Sequence, residues 1–308
     1  MRKIHVLGGL LLALLFFSFL PIHMDSDIDI TGPSASKQIP DAIAAKPATA
    51  AADANAPDIP VLMYHILLDG RNDVISVDPD RFREHMEAIR AAGYTTITDY
   101  ELADHLIDEK PLPDKPILIT FDDGYKSTYT EAFPILKDLG MKATVNVIAS
   151  RIFESPSTLH TAEYEKITWP EARLMQGTVT IQGHTWDSHH KKMNYLNENK
   201  GVVAGRLAHG LETESQANFE KRVLEDFLLC KETIEDKMGY EVVSLAYPYG
   251  QYSADTMLLA QQAGYKLAFT VQSGLVNSGT ANPFELNRIT ANGAYSGEEL
   301  LAAIDASR

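Results

Sequence analysis

Apolar residues along this chain fall into short runs, separated by longer stretches in which they recur every three or four positions. Runs at 61–64, 95–97, 116–121, 142–148, 178–182, 242–247 and 267–271, with a shorter one near 287–290, predict strands. The intervening stretches predict helices. Residues 80–92 put Phe82, Met86 and Ile89 on one stripe and stop at Gly93. Residues 99–108 follow Asp99 as a cap. Residues 129–139 carry Phe133, Leu136 and Leu139 and end at Gly140. Residues 218–238 make a long charged amphipathic helix, and 254–263 follow Ser253 and end at Gly264. Strand–helix alternation predicts an α/β fold with a parallel sheet. Seven or eight units in roughly 250 residues suit a (β/α) barrel.

The ends of the chain's pattern differ from its middle. Arg2 and Lys3 precede an apolar run from Val6 to Leu20, broken by Pro21, so residues 1–22 read as a signal peptide or membrane anchor. No small-x-small cleavage site lies just after Leu20, which favours an uncleaved anchor. Residues 23–56, rich in Ala, Pro, Asp and Ser, read as a flexible linker. The folded domain is expected over 57–308. The polar stretch 191–217, with Gly201, Gly205 and Gly210, reads as a loop.

Composition narrows the function. With 45% hydrophobic residues in 308, global disorder is excluded. A net charge of −15 argues against nucleic-acid binding, which leaves a basic footprint. The single cysteine, Cys230, forms no intramolecular disulfide and reads as a small buried hydrophobe in a helix. A monomer is expected, touching a membrane only through its N-terminal segment.

The candidate chemistry lies where strands stop. Thr120-Phe121-Asp122-Asp123-Gly124-Tyr125 closes the run at 116–119. Two adjacent acids do not belong in a buried strand interior, so they sit at its open end. Gly183-His184-Thr185-Trp186-Asp187-Ser188-His189-His190 follows a second run, and Tyr247-Pro248-Tyr249-Gly250 ends a third. Barrel and open α/β sites are built at such strand ends. His184 and His189 are five apart, about 140° around a helix, so they need a loop to converge. Two imidazoles and a carboxylate suit zinc or a similar divalent ion with one position left for water. Of the two acids, one can ligate and the other face the water, because neighbouring strand residues point in different directions. His190 rivals His189, and His65, ending Met63-Tyr64-His65, is either a further pocket residue or a satisfied structural histidine.

TFDDGY, the His-Thr-x-x-x-His element and Leu245-Ala246-Tyr247-Pro248-Tyr249-Gly250 together resemble the NodB-homology polysaccharide deacetylases, carbohydrate esterase family four. The resemblance covers about residues 57–290. It implies a distorted (β/α) barrel that hydrolyses N-acetyl groups on sugar polymers with one divalent metal ion, zinc first, with cobalt, nickel or iron as alternatives. By position, Asp122 resembles the catalytic base, and Asp123, His184 and His189 the metal ligands. The Tyr249 backbone N–H would hold the oxyanion, and Thr185 would support the histidine loop; His65, Tyr247 and Pro248 are expected either at the substrate or behind the residues that touch it. The histidine spacing is one longer than is common in the family. That spacing, and Pro60-Val61-Leu62-Met63-Tyr64-His65, resemble the branch acting on poly-β-1,6-N-acetylglucosamine, an exopolysaccharide of biofilms. Such an enzyme works outside the cytoplasm, secreted or anchored.

Two family features are missing. Ala246 stands where an arginine braces the base, so the brace is absent or comes from elsewhere. Leu286-Asn287-Arg288-Ile289-Thr290 lacks the late histidine that acts as general acid, leaving water or protonated Asp122 to serve. Other readings are a deacetylase of peptidoglycan, chitin-type oligomers or acetyl-xylan, and a carbohydrate-binding protein on a decayed enzyme scaffold.

Overall fold

The computed structural model describes residues 57–157 and 161–308. The expected N-terminal segment (1–22) and linker (23–56) lie outside them. Among the described residues no helix is long and apolar enough to cross a membrane.

The strands are β1 (Val61–Tyr64), β2 (Thr95–Thr96), β3 (Pro116–Asp122), β4 (Ala143–Val147), β5 (Val179–Gly183), β6 (Ser244–Ala246), β7 (Leu267–Phe269) and β8 (Ile289–Thr290). The helices are α1 (Pro79–Ala91), α2 (Asp99–Asp108), α3 (Phe133–Leu139), α4 (Trp169–Leu174), α5 (Gln216–Met238), α6 (Ala254–Gln262) and α7 (Gly297–Asp305). Seven strands form one curled, all-parallel half-barrel in the order β7-β6-β5-β4-β3-β1-β8, and β2 pairs with the start of β3 off this path. Leu286 bridges to Phe269 of β7 while Ile289 and Thr290 pair with β1, so the segment 286–290 touches both edges of the sheet.

Period-two alternation along β3 decides what the sheet buries on each side. Ile117, Ile119 and Phe121 join Phe82, Met86, Ile89 and Leu136 in the larger core under the helices. Leu118 joins Val61, Ala246, Leu267, Phe269 and Leu286 in a second cluster. Thr120 and Asp122, two and four residues beyond Leu118, share its side of the strand. The acid at the end of β3 therefore faces the inside of the curl.

Several expectations change in detail. The cap of α2 is Thr98, in a reciprocal capping box with Glu101. Asp99 is instead buried within the first turn, where Ser244 Oγ (2.7 Å) and Thr144 Oγ1 donate to it. A carboxylate that finds two hydroxyl donors inside the barrel satisfies itself there rather than at the helix end. The expected helix 129–139 is split into a wider turn (Thr128–Ala132) and α3. Pro134 has no N–H to offer the Thr130 carbonyl, which explains the widened ladder. Residues 191–217 are not a featureless loop: Lys191–Met193 pairs with Asn199–Gly201, and Ala208–His209 with Glu212–Thr213. This insert is fastened to the body by Gly201 N–H on Gln251 Oε1 (2.8 Å) and Thr256 Oγ1 on Val203 O (2.6 Å). Helices α4 and α7 are additional to the expected elements, and both begin with capping boxes, Thr168/Glu171 and Ser296/Glu299.

Candidate metal centre and active-site cavity

Asp122 ends β3 and is 3% exposed. Its Oδ1 accepts from Asn146 Nδ2 (2.9 Å) and Arg288 Nη1 (2.8 Å), and its Oδ2 from Arg288 Nη2 (2.7 Å). Arg288 is fully buried and also donates to Thr270 O (2.8 Å) and Thr120 Oγ1 (3.1 Å). Burial alone would raise the Asp122 carboxyl; the guanidinium and the nearby His184 outweigh it and hold the group well below the usual carboxylate range. A carboxylate has about four lone-pair sites. Three are taken, and the one remaining belongs to Oδ2.

Arg288 is the brace that Ala246 cannot supply. It reaches Asp122 from the residue just before β8, across β1, on the inner face of the sheet. Sequence alone assigns Arg288 no role. The signal was present: a guanidinium within a strand-like run must be buried with a partner or break the run.

The chain turns sharply after β3, with Asp123 at φ +73° and Gly124 at φ +69°. Asp123 Oδ1 lies 3.5 Å from His184 Nε2 and 3.2 Å from His189 Nε2. One ligand atom from each of the three residues lies within 4.8 Å of the others. The His184 ring is oriented by Nδ1, 2.7 Å from Ala246 O. A carbonyl only accepts, so Nδ1 carries the hydrogen and Nε2, the nitrogen left for ligation, faces Asp123. Burial works against charge on His184, but Asp122 and Asp123 raise its pKa on balance. Burial and the adjacent His184 push His189 down to about 4, so it is neutral at pH 7, the form that ligates metals. Asp123 Oδ1 is buried and has no hydrogen-bond partner. A buried anionic oxygen without a donor, faced by imidazole lone pairs, fits a divalent cation, and the donor set matches that of zinc sites with an open position.

His184, His189, Asp122 and Asp123 line one cavity of about 200 Å³ with His65, Ile75, Tyr247, Tyr249 and Val271. A larger open groove lined by Leu67, Arg71, Lys126 and Glu163 contains none of the four. His65 lines the same cavity, and its Nδ1 is buried with no hydrogen-bond partner. Tyr247 is buried, with its hydroxyl donating to Phe284 O (3.2 Å), and Pro248 is buried beside it. Tyr249 adopts φ +58° and lays its ring 4.7 Å from that of His189. The following Gly250 is required, since a Cβ there would stand 2.7 Å from Val271 N. Thr185 acts through its backbone, its O accepting from Ala149 N (3.1 Å), while its hydroxyl has no partner. His190 turns away, with Nδ1 3.2 Å from Asp187 O. Lys166, also unforeseen, is buried with its ammonium 3.4 Å from the Tyr125 ring centre, and burial lowers it to about 8.

Residues 109–268 match the family described as polysaccharide deacetylase. The chain is 27% identical over 250 residues to YxkH of Bacillus subtilis (strain 168), named as a polysaccharide deacetylase, covering 81% of this chain and 77% of that one. It is 28% identical over 216 residues to the poly-beta-1,6-N-acetyl-D-glucosamine N-deacetylase of Escherichia coli (strain K12), covering 66% of this chain. The match spans only 32% of that enzyme's length. Among solved structures, the BpsB deacetylase domain of Bordetella bronchiseptica superposes with a TM-score of 0.62 at 27% identity, covering 75% of this chain and 94% of that domain.

Proposed function

The chain belongs to the polysaccharide deacetylase family, and we propose that it hydrolyses the N-acetyl groups of an extracytoplasmic N-acetylglucosamine polymer, poly-β-1,6-N-acetylglucosamine first. The carrying observation is that Asp122 shares one small cavity with the Asp123–His184–His189 donor set. The names of the Escherichia coli and Staphylococcus aureus relatives support the polymer. The cationic, apolar N-terminal pattern supports export.

When held by Asp123, His184 and His189, a divalent cation supplies Lewis acidity toward the acetamide carbonyl and lowers the pKa of water. Asp122 orients the attacking water through its one unused lone pair and takes up a proton there. A carboxylate stabilised by Arg288 is a weak base, so it holds that proton only in passing. The Tyr249 backbone N–H stabilises the oxyanion as the carbonyl carbon becomes tetrahedral. His65, the remaining imidazole of the cavity and kept neutral by burial, takes that proton on from Asp122 and passes it to the departing amine. This assignment fills the role of the absent late histidine. Arg288 removes the main argument for a decayed, purely binding scaffold, since the base is braced after all.

The test is acetate release by the purified protein from poly-β-1,6-N-acetylglucosamine, chitooligosaccharide, peptidoglycan and acetyl-xylan. Release from the first, abolished by chelator and restored by zinc, cobalt or nickel, is expected. Release that survives complete metal removal would refute the metal requirement, and preference for another polymer would refute the substrate.

A further inference from the structure

The loop between the two histidines is held by a residue far along the chain. Asp226 lies on α5 with its carboxylate turned to that loop. Its Oδ1 accepts from Trp186 N–H (2.9 Å), and its Oδ2 from Asp187 N–H (3.0 Å) and Ser188 Oγ (2.8 Å). The opposite side of the loop is tied as well: Ala149 N–H donates to Thr185 O (3.1 Å) and Ser150 N–H to Trp186 O (2.9 Å). Thr185 sits at φ +76°, a strained conformation for a β-branched residue, which persists only when its surroundings over-determine it.

One turn further along α5, Cys230 abuts the start of the same loop. A Cβ on Gly183 would stand 3.4 Å from Cys230 Sγ and 2.9 Å from the Tyr265 hydroxyl. The helix thus fixes where the loop leaves β5 and, through Asp226, how it turns. The two histidines differ in what else holds them. His184 has its own brace in Ala246 O, whereas His189 depends on the loop and on the Tyr249 ring.

We propose that Asp226 is a positioning residue that sets the separation of His184 and His189, and through it the affinity and ligand geometry of the metal centre. This rests on reading Asp123, His184 and His189 as that centre. Asp226 touches neither ligand ring; it acts by satisfying the two backbone N–H groups and one hydroxyl that keep the loop folded. Outer partners of this kind set metal affinity by roughly 10–100-fold.

The experiment titrates Co²⁺ into the full-length protein and its Asp226→Ala and Asp226→Asn variants, reading affinity and the visible ligand-field spectrum, with circular dichroism to check folding. Glu225→Ala, an exposed acid on the same helix, is the control. Asp226→Ala is expected to weaken Co²⁺ binding by about 10–100-fold and to change the spectrum. Asp226→Asn, which keeps one acceptor oxygen, should fall between, and the control should match wild type. A folded Asp226→Ala with wild-type affinity and spectrum overturns the proposal. If that variant does not fold, Asp226→Asn decides, and wild-type behaviour in it overturns the proposal equally. A wild-type protein that binds no Co²⁺ overturns the metal reading itself, and this inference with it.

Discussion

Asp122 carries its charge in a nearly dry pocket because Arg288 meets it with two parallel hydrogen bonds. Such a pair adds little net stability when intact, yet is expensive to break from one side. Arg288→Ala should therefore cost about 3–5 kcal/mol in urea unfolding; a loss within 1 kcal/mol of zero (roughly the value of an exposed ion pair) would show that Asp122 does not rely on it. Asp122→Asn keeps the shape and removes the proton acceptor. Its kcat is expected to fall by at least about 100-fold, with metal content by mass spectrometry unchanged. Near-normal turnover in that variant would remove Asp122 as the base.

Among elements, the insert shows how a polar stretch becomes ordered. Glu214 Oε1 and Oε2 each accept from Arg222 on α5 (2.9 Å), and Leu207 N–H donates to Oε2 (3.0 Å). Burial acts to raise the Glu214 carboxyl, but Arg222 and the Leu207 N–H prevail and leave it below its ordinary value. The folded pKa lies under the unfolded one. The clamp therefore contributes fully above the unfolded value, about 4.3, and is lost as pH falls through the lowered folded value. Hydrogen exchange over 191–213, corrected for intrinsic rates, should lose protection in that acid window. Glu214→Gln should lose about 1 kcal/mol of protection at pH 7, since Arg222 is partly solvent-screened. Protection in Glu214→Gln equal to wild type at both pH values would show the insert to be held by Gln251 and Thr256 instead. Such a clamp was not legible beforehand, because Glu214 and Arg222 lie in segments that carry no periodicity together.

For the whole molecule, charge and product oppose each other. The chain carries −15, and each acetyl group removed leaves a cationic amine on the polymer. Deacetylated polymer should bind the protein more tightly than the acetylated form at low ionic strength, and this preference should fade by about 0.5 M salt as screening shortens to a few ångströms. A preference indifferent to salt would mean that recognition is local to the groove. The legible part of this protein was what local pattern encodes. Apolar runs marked β3 to β7, and polar residues at or just past the ends of β3, β5 and β6 marked Asp122, Asp123, His184, His189 and Tyr249, because a strand's burial period and its breakdown at the open end are properties of adjacent residues. The partners of those groups were decided by the tertiary structure. Arg288 lies 166 residues from Asp122 in the chain, and Asp226 is some forty beyond the loop it holds. Whether a guanidinium or a carboxylate becomes a brace depends on which strands and helices end up as neighbours, and that follows from how the sheet curls rather than from any stretch of sequence by itself.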